Sequence, residues 1–85
     1  MKGIEYRMKV VNAMNAKISN GKTGSPQTFA TDIAISKRTL FENLKLMKEN
    51  LEPSNVLIIY NRKLVSYHYS PPGDYPVIWV WLPKN

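Results

Sequence analysis

Apolar residues open the chain at helical steps. Ile4, Met8, Val11, Met14 and Ile18 follow one another at intervals of four, three, three and four, a spacing that lines one face of an α-helix. Arg7, Lys9, Asn12, Asn15 and Lys17 fall mainly on the other faces. The pattern predicts helix over about 3–20, closed at Asn20-Gly21, where glycine takes the left-handed C-terminal conformation without a Cβ penalty. Lys22-Thr23-Gly24 is then a connection with room for a short extended piece. Ser25 suits an N-cap and Pro26 a first helical turn, and Phe29, Ala30 and Ile33 give a second helix over about 26–33 its inward side. Ala34-Ile35 makes a turn. Ser36 caps a third helix, its hydroxyl oxygen able to accept from the amide of Arg38 or Thr39. Leu40, Leu44 and Met47 share one face of that helix, and Lys37, Arg38, Glu42 and Lys45 fall mostly on the other. Phe41 falls on the border, as a core-edge residue. Pro53 blocks further helix, so the third helix spans about 37–50. Met8, Met14 and Met47 are core residues.

Beyond Pro53 the period shortens. Val56–Tyr60 and Leu64–Tyr69 are β-branched and aromatic, and the polar break Asn61-Arg62-Lys63 separates them. They read as a hairpin over about 56–69. Ser70–Pro76, with three prolines and a glycine, cannot form a central strand and leads to Val77–Leu82, an extra strand over about 77–82. An alternative hairpin joins 64–69 to 77–82 through Pro71–Pro76. It ranks second, because Asn61-Arg62-Lys63 has the charge an exposed tip should carry. The fold class is α+β: three helices followed by a β-hairpin, the layout of a winged helix-turn-helix.

The segment TGSPQTFATDIAISKRTLFENLKLMKE resembles the winged helix-turn-helix DNA-binding domains of bacterial transcription regulators, of the biotin-repressor-like and DeoR-like N-terminal kind. The likeness rests on Thr-Gly before the second helix, on Phe29-Ala30, on Ile33 before the turn, and on Ile35-Ser36-Lys37-Arg38-Thr39-Leu40. Ile58–Tyr69, IIYNRKLVSYHY, is similar to that family's wing. The match covers roughly 5–69. One departure is Ala34, where glycine is common: the position must either avoid positive φ or tolerate it. The resemblance implies binding of double-stranded DNA and regulation of transcription, with homodimers acting on two half-sites.

Composition fits one domain. The chain has 85 residues, and a domain this short buries about 60–65% of the surface its unfolded form exposes. Apolar residues make up 44% and charged residues 21%, a globular rather than a disordered balance. No cysteine is present, which excludes disulfides, thiol nucleophiles and thiolate metal sites. No run approaches the ~20 apolar residues of a membrane span, and the N-terminus has no signal-peptide core. The expected location is cytoplasmic. Twelve Lys and Arg against six Asp and Glu give a net charge of +6 and a pI near 9.7, in the range of nucleic-acid-binding domains.

The basic residues sit where a duplex would meet them. A helix N-terminus presents unpaired amides and partial positive charge, which favour phosphate. Lys37 and Arg38 add full charges there, a locally unfavourable choice that suggests function. Arg38 suits a bidentate contact to guanine; Glu42 suits a cytosine amino group or an ion pair with Arg38. Lys45 would lie along the backbone, and Gln27 and Thr28 could reach phosphate. Ser36 completes the set on the third helix, as a cap more than as a base reader. Arg62 and Lys63 on the wing would reach the neighbouring groove. The plainer reading is a solvated helix face, with Lys48 on it and Glu42 and Glu49 interrupting its charge.

Enzymatic chemistry finds no support. His68 is the single histidine and has no partner for a dyad or a metal site. The acidic residues form no close pair suited to acid–base work, and the glycines form no phosphate-binding loop. No cofactor, metal or small-molecule ligand is expected. Trp79 and Trp81 lie on one face of the last apolar run; they either pack over the first helix or form a homodimer contact. The rival function is a winged helix that binds protein instead of DNA, through Tyr67, Tyr69, Trp79 and Trp81.

Overall fold

The computed structural model describes residues 3–75. Its elements are α1 (Ile4–Asn20), α2 (Pro26–Asp32), α3 (Lys37–Leu51), a single 3-10 turn (Glu52–Ser54), β1 (Leu57–Asn61) and β2 (Ser66–Ser70). Three helices are thus followed by an antiparallel two-stranded hairpin, an α+β layout like that of a winged helix. Val77–Leu82, Trp79 and Trp81 among them, lies outside the described residues, and so does the alternative hairpin that needs it.

Local signals set the helix ends. Gly21 closes α1 in the left-handed region, φ 64°. Ser25 opens α2 by accepting from the Thr28 amide at 3.3 Å, and Ser36 opens α3 by accepting from the Thr39 amide at 3.0 Å. Leu51 ends α3 just ahead of Pro53, one residue past the expected Asn50.

One core holds the elements together. Val11, Met14 and Ile18 of α1 meet Phe29 and Ala30 of α2, Leu40, Leu44 and Met47 of α3, and Val56, Ile58, Tyr67 and Tyr69 of the hairpin segment, all buried. Val10 is also buried, whereas Met8 and Ile33 are only partly covered. The buried stripe of α1 is therefore turned toward Val10, one turn before Met14, and away from Met8.

The hairpin register pairs Ile58 with Tyr69, Ile59 with His68, Tyr60 with Tyr67 and Asn61 with Ser66. Alternation along each strand sends Ile58, Tyr60, Tyr67 and Tyr69 inward and leaves Leu57 and Ile59 exposed. The Tyr67 ring lies 5.9 Å from that of Phe29 and 4.9 Å from that of Tyr60. The tip differs from the three-residue break expected. Asn61 stays in β1, and Arg62, Lys63, Leu64 and Val65 form the turn. The Asn61 side-chain oxygen accepts from the Leu64 amide at 3.0 Å, holding the turn as Asn commonly does. Val65 turns back into β2 with φ 51°, so Leu64 and Val65 belong to the tip and not to a strand.

Two polar links bind the hairpin to distant chain. The Thr23 amide donates to Ser66 Oγ at 3.0 Å, and the Tyr67 amide donates to Thr23 Oγ1 at 2.9 Å. The connection after α1 thereby docks on the side of β2 away from β1. The Tyr69 hydroxyl donates to Asn15 Oδ1, and Asn15 Nδ2 donates to Asp74 Oδ1 at 2.8 Å. Tyr75 stacks edge-on against Tyr69 at 4.9 Å. Among the described residues, no buried side-chain nitrogen or oxygen lacks a partner, as expected of a specified core.

Candidate nucleic-acid interface

The unit formed by α2, the turn and α3 is built from its backbone upward. Ala34 stands at φ 58°. Its amide donates to the Thr31 carbonyl at 3.1 Å, and the Ile35 amide donates to the Ala30 carbonyl at 2.9 Å. These two bonds are the Schellman closure of a helix, with Ala34 at the position glycine usually fills. Ala34 thus tolerates positive φ rather than avoiding it. Ile35, just after it, packs partly into the core, and Ser36 starts α3 at once. A closure and a cap only two residues apart fix the direction in which α3 leaves α2. Lys17 of α1 reaches Asp32 at the end of α2 at 3.7 Å, a weak surface contact.

That geometry leaves the start of α3 open. Ser36, Lys37, Arg38, Phe41, Glu42, Lys45, Lys48 and Glu49 are exposed, opposite Leu40, Leu44 and Met47. Ser36 Oγ also donates to Thr39 Oγ1 at 3.0 Å, so both hydroxyls serve the cap. The first turn of α3 holds no acidic residue, so Lys37 and Arg38 add to the positive end of the helix dipole. Arg38 Nε lies 3.4 Å from Glu42 Oε2, with both side chains largely in solvent. Such a pair is worth about 0.3–0.5 kcal/mol, little enough for a phosphate or base edge to displace it.

The remaining candidates divide between two places. Gln27 and Thr28 are exposed on α2, where Gln27 Nε2 donates to Thr31 Oγ1 at 3.2 Å and Thr28 Oγ1 accepts from Ser25 Oγ at 3.1 Å. Arg62 and Lys63 are exposed at the hairpin tip, on an element separate from α3. Lys37, Arg38, Glu42 and Lys45 thus share one helix face, and Arg62 and Lys63 form a second cationic group.

Three features escaped the sequence reading. Phe41 is 47% exposed, so it belongs to the open face of α3 and not to the core edge. Its position one turn from both Lys37 and Lys45 was the available signal. Leu64 and Val65, 68% and 46% exposed, put apolar surface beside Arg62 and Lys63. Tyr67 and Tyr69 are 7% and 2% exposed, so both belong to the core and not to the surface expected of them. Burial, and next the charge of Tyr60, raises the Tyr67 phenol above its ordinary value. Burial, then Asp74 and Tyr75, pushes Tyr69 up to about 12.

His68 is half-buried, with Nδ1 3.2 Å from the Tyr69 carbonyl oxygen. Among the described residues, no group of three or more His, Cys, Asp or Glu side chains is placed to hold a metal ion, and no helix is long and apolar enough to cross a membrane. No family model matches the chain, nor does any curated protein or solved structure.

Proposed function

We propose that this chain binds double-stranded DNA and regulates transcription, with α3 entering the major groove. The observation that carries the proposal is the open, capped N-terminus of α3, where exposed Lys37 and Arg38 stand at the positive end of the helix dipole. Arg38 leaves Glu42 to meet guanine, Lys45 follows the phosphates, and Gln27 and Thr28 approach the backbone from α2. Arg62 and Lys63 form the second contact from the hairpin tip. A homodimer through the Trp79 and Trp81 region would place two such helices on two half-sites. The rival reading, a protein-binding winged helix, is weakened by the burial of Tyr67 and Tyr69.

The test is a fluorescence anisotropy titration against random duplex at several salt concentrations. Affinity is expected to fall steeply as salt rises, with a log–log slope of about −0.9 for each phosphate neutralised. Lys37→Ala with Arg38→Ala should weaken binding and make that slope shallower by roughly two. The charge-matched control, Lys9→Ala with Lys22→Ala, should do neither beyond a small loss of general attraction. Equal effects from the two pairs would refute the assignment of α3.

A further inference from the structure

Phe41 is the one aromatic side chain among the described residues that is exposed; Phe29, Tyr67 and Tyr69 are buried, and Tyr6, Tyr60 and Tyr75 are partly covered. It is not placed at random on the surface. Lys37 precedes it by one turn, Lys45 follows it by one turn, and Arg38 lies three residues before it. Side chains at these spacings are neighbours on a helix. An apolar ring therefore sits among Lys37, Arg38 and Lys45, on a net basic face that also carries Glu42.

A face that met only phosphate would gain nothing from a ring at its centre. Phosphate and sugar contacts come from charged and hydrogen-bonding groups, whereas apolar side chains find a partner on the base edges. In the major groove that partner is the thymine C5-methyl group, which Phe is suited to touch. We infer that Phe41 is a specificity-determining residue: it packs on a thymine methyl while Lys37, Arg38 and Lys45 hold the surrounding phosphates and base edges. This inference rests on the DNA-binding reading above.

Deoxyuridine provides the test, because it differs from thymidine only by that methyl group. Duplexes are first selected from a random pool with the wild-type protein. Each thymine of the selected site is then replaced singly by deoxyuridine, and Kd is measured for the wild type, Phe41→Ala and Phe41→Gln. At one thymine the replacement should weaken the wild type by roughly fourfold, the worth of one buried methyl group. The same replacement should leave both variants unchanged, and their salt slopes should equal that of the wild type. Phe41→Gln retains much of the side-chain bulk, so it serves if Phe41→Ala fails to fold. A selected site with no methyl-sensitive thymine, or variants that lose as much as the wild type, would overturn the role of Phe41 while leaving DNA binding standing. Failure to retain any duplex would overturn both.

Discussion

Replacing Ala34 by glycine should make the protein more stable, and the size of the gain follows from the backbone. Ala34 sits at φ 58° and its side chain is exposed, so removing the methyl group sacrifices almost no packing. The left-handed conformation costs a residue bearing a Cβ about 1–2 kcal/mol, and glycine avoids that cost. Glycine also gives the unfolded chain more freedom, which takes back about 0.4–1 kcal/mol. The balance is a gain of roughly 1 kcal/mol, or a rise in Tm of about 4–8 °C for a domain of this size. Both closing hydrogen bonds, from Ala34 and Ile35 to Thr31 and Ala30, involve backbone atoms and survive the change. Thermal unfolding followed by circular dichroism measures the effect directly. An unchanged or lower Tm would refute the reasoning, because it would mean that residue 34 does not adopt the left-handed conformation that directs α3 away from α2.

Gly24→Ala should act in the opposite sense: the residue has φ 73°, and an added Cβ would meet Thr28 Cγ2 at 2.9 Å. A loss of about 1–2 kcal/mol is expected, read as a lower urea midpoint; an unshifted midpoint would contradict the tight approach of residue 24 to α2. Alkaline pH should destabilise the fold through Tyr69. Its folded pKa, raised to about 12, lies above the ordinary phenol value, so its contribution is intact below about pH 10. That contribution is lost as pH climbs through the folded value. The urea midpoint of the wild type should fall between about pH 10 and 12, and fall less in Tyr69→Phe, even though that variant starts weaker for want of the bond to Asn15. Parallel pH profiles for the two proteins would refute the role of Tyr69.

The helices were legible in the sequence because their signals are local. Periodicity placed Val11, Met14 and Ile18 on the buried side of α1 but also put Met8 there, which is only partly covered. Ser25 and Ser36 marked two caps, Gly21 one closure, and Pro53 the end of α3. What the sequence hid depends on partners far along the chain. Tyr67 and Tyr69 look like a surface pair until Asn15, 54 residues before Tyr69, and Thr23, 44 residues before Tyr67, supply their hydrogen bonds. The inward turn of Val10 needs the neighbouring elements to define where the core lies. At the hairpin tip, β-propensity argued that Leu64 and Val65 continue a strand, and the Asn61 side chain overrode it by bonding to the Leu64 amide. The charged residues of the candidate interface were readable from spacing alone, since one exposed helix face carries Lys37, Arg38, Glu42 and Lys45. The exposure of Phe41 was signalled only by the lysines one turn to either side, Lys37 and Lys45, because a residue on the border of an apolar stripe is otherwise assigned by what packs beside it.

The central claim is that a duplex docks on the start of α3 and the hairpin tip. Amide chemical-shift mapping of the 15N-labelled protein, titrated with a duplex in low salt, reports where it docks. The expected result is a set of concentration-dependent shifts centred on Ser36–Glu42, with a second group at Arg62–Val65. Shifts absent throughout, or confined to α1 and the outer side of β1, would contradict the account.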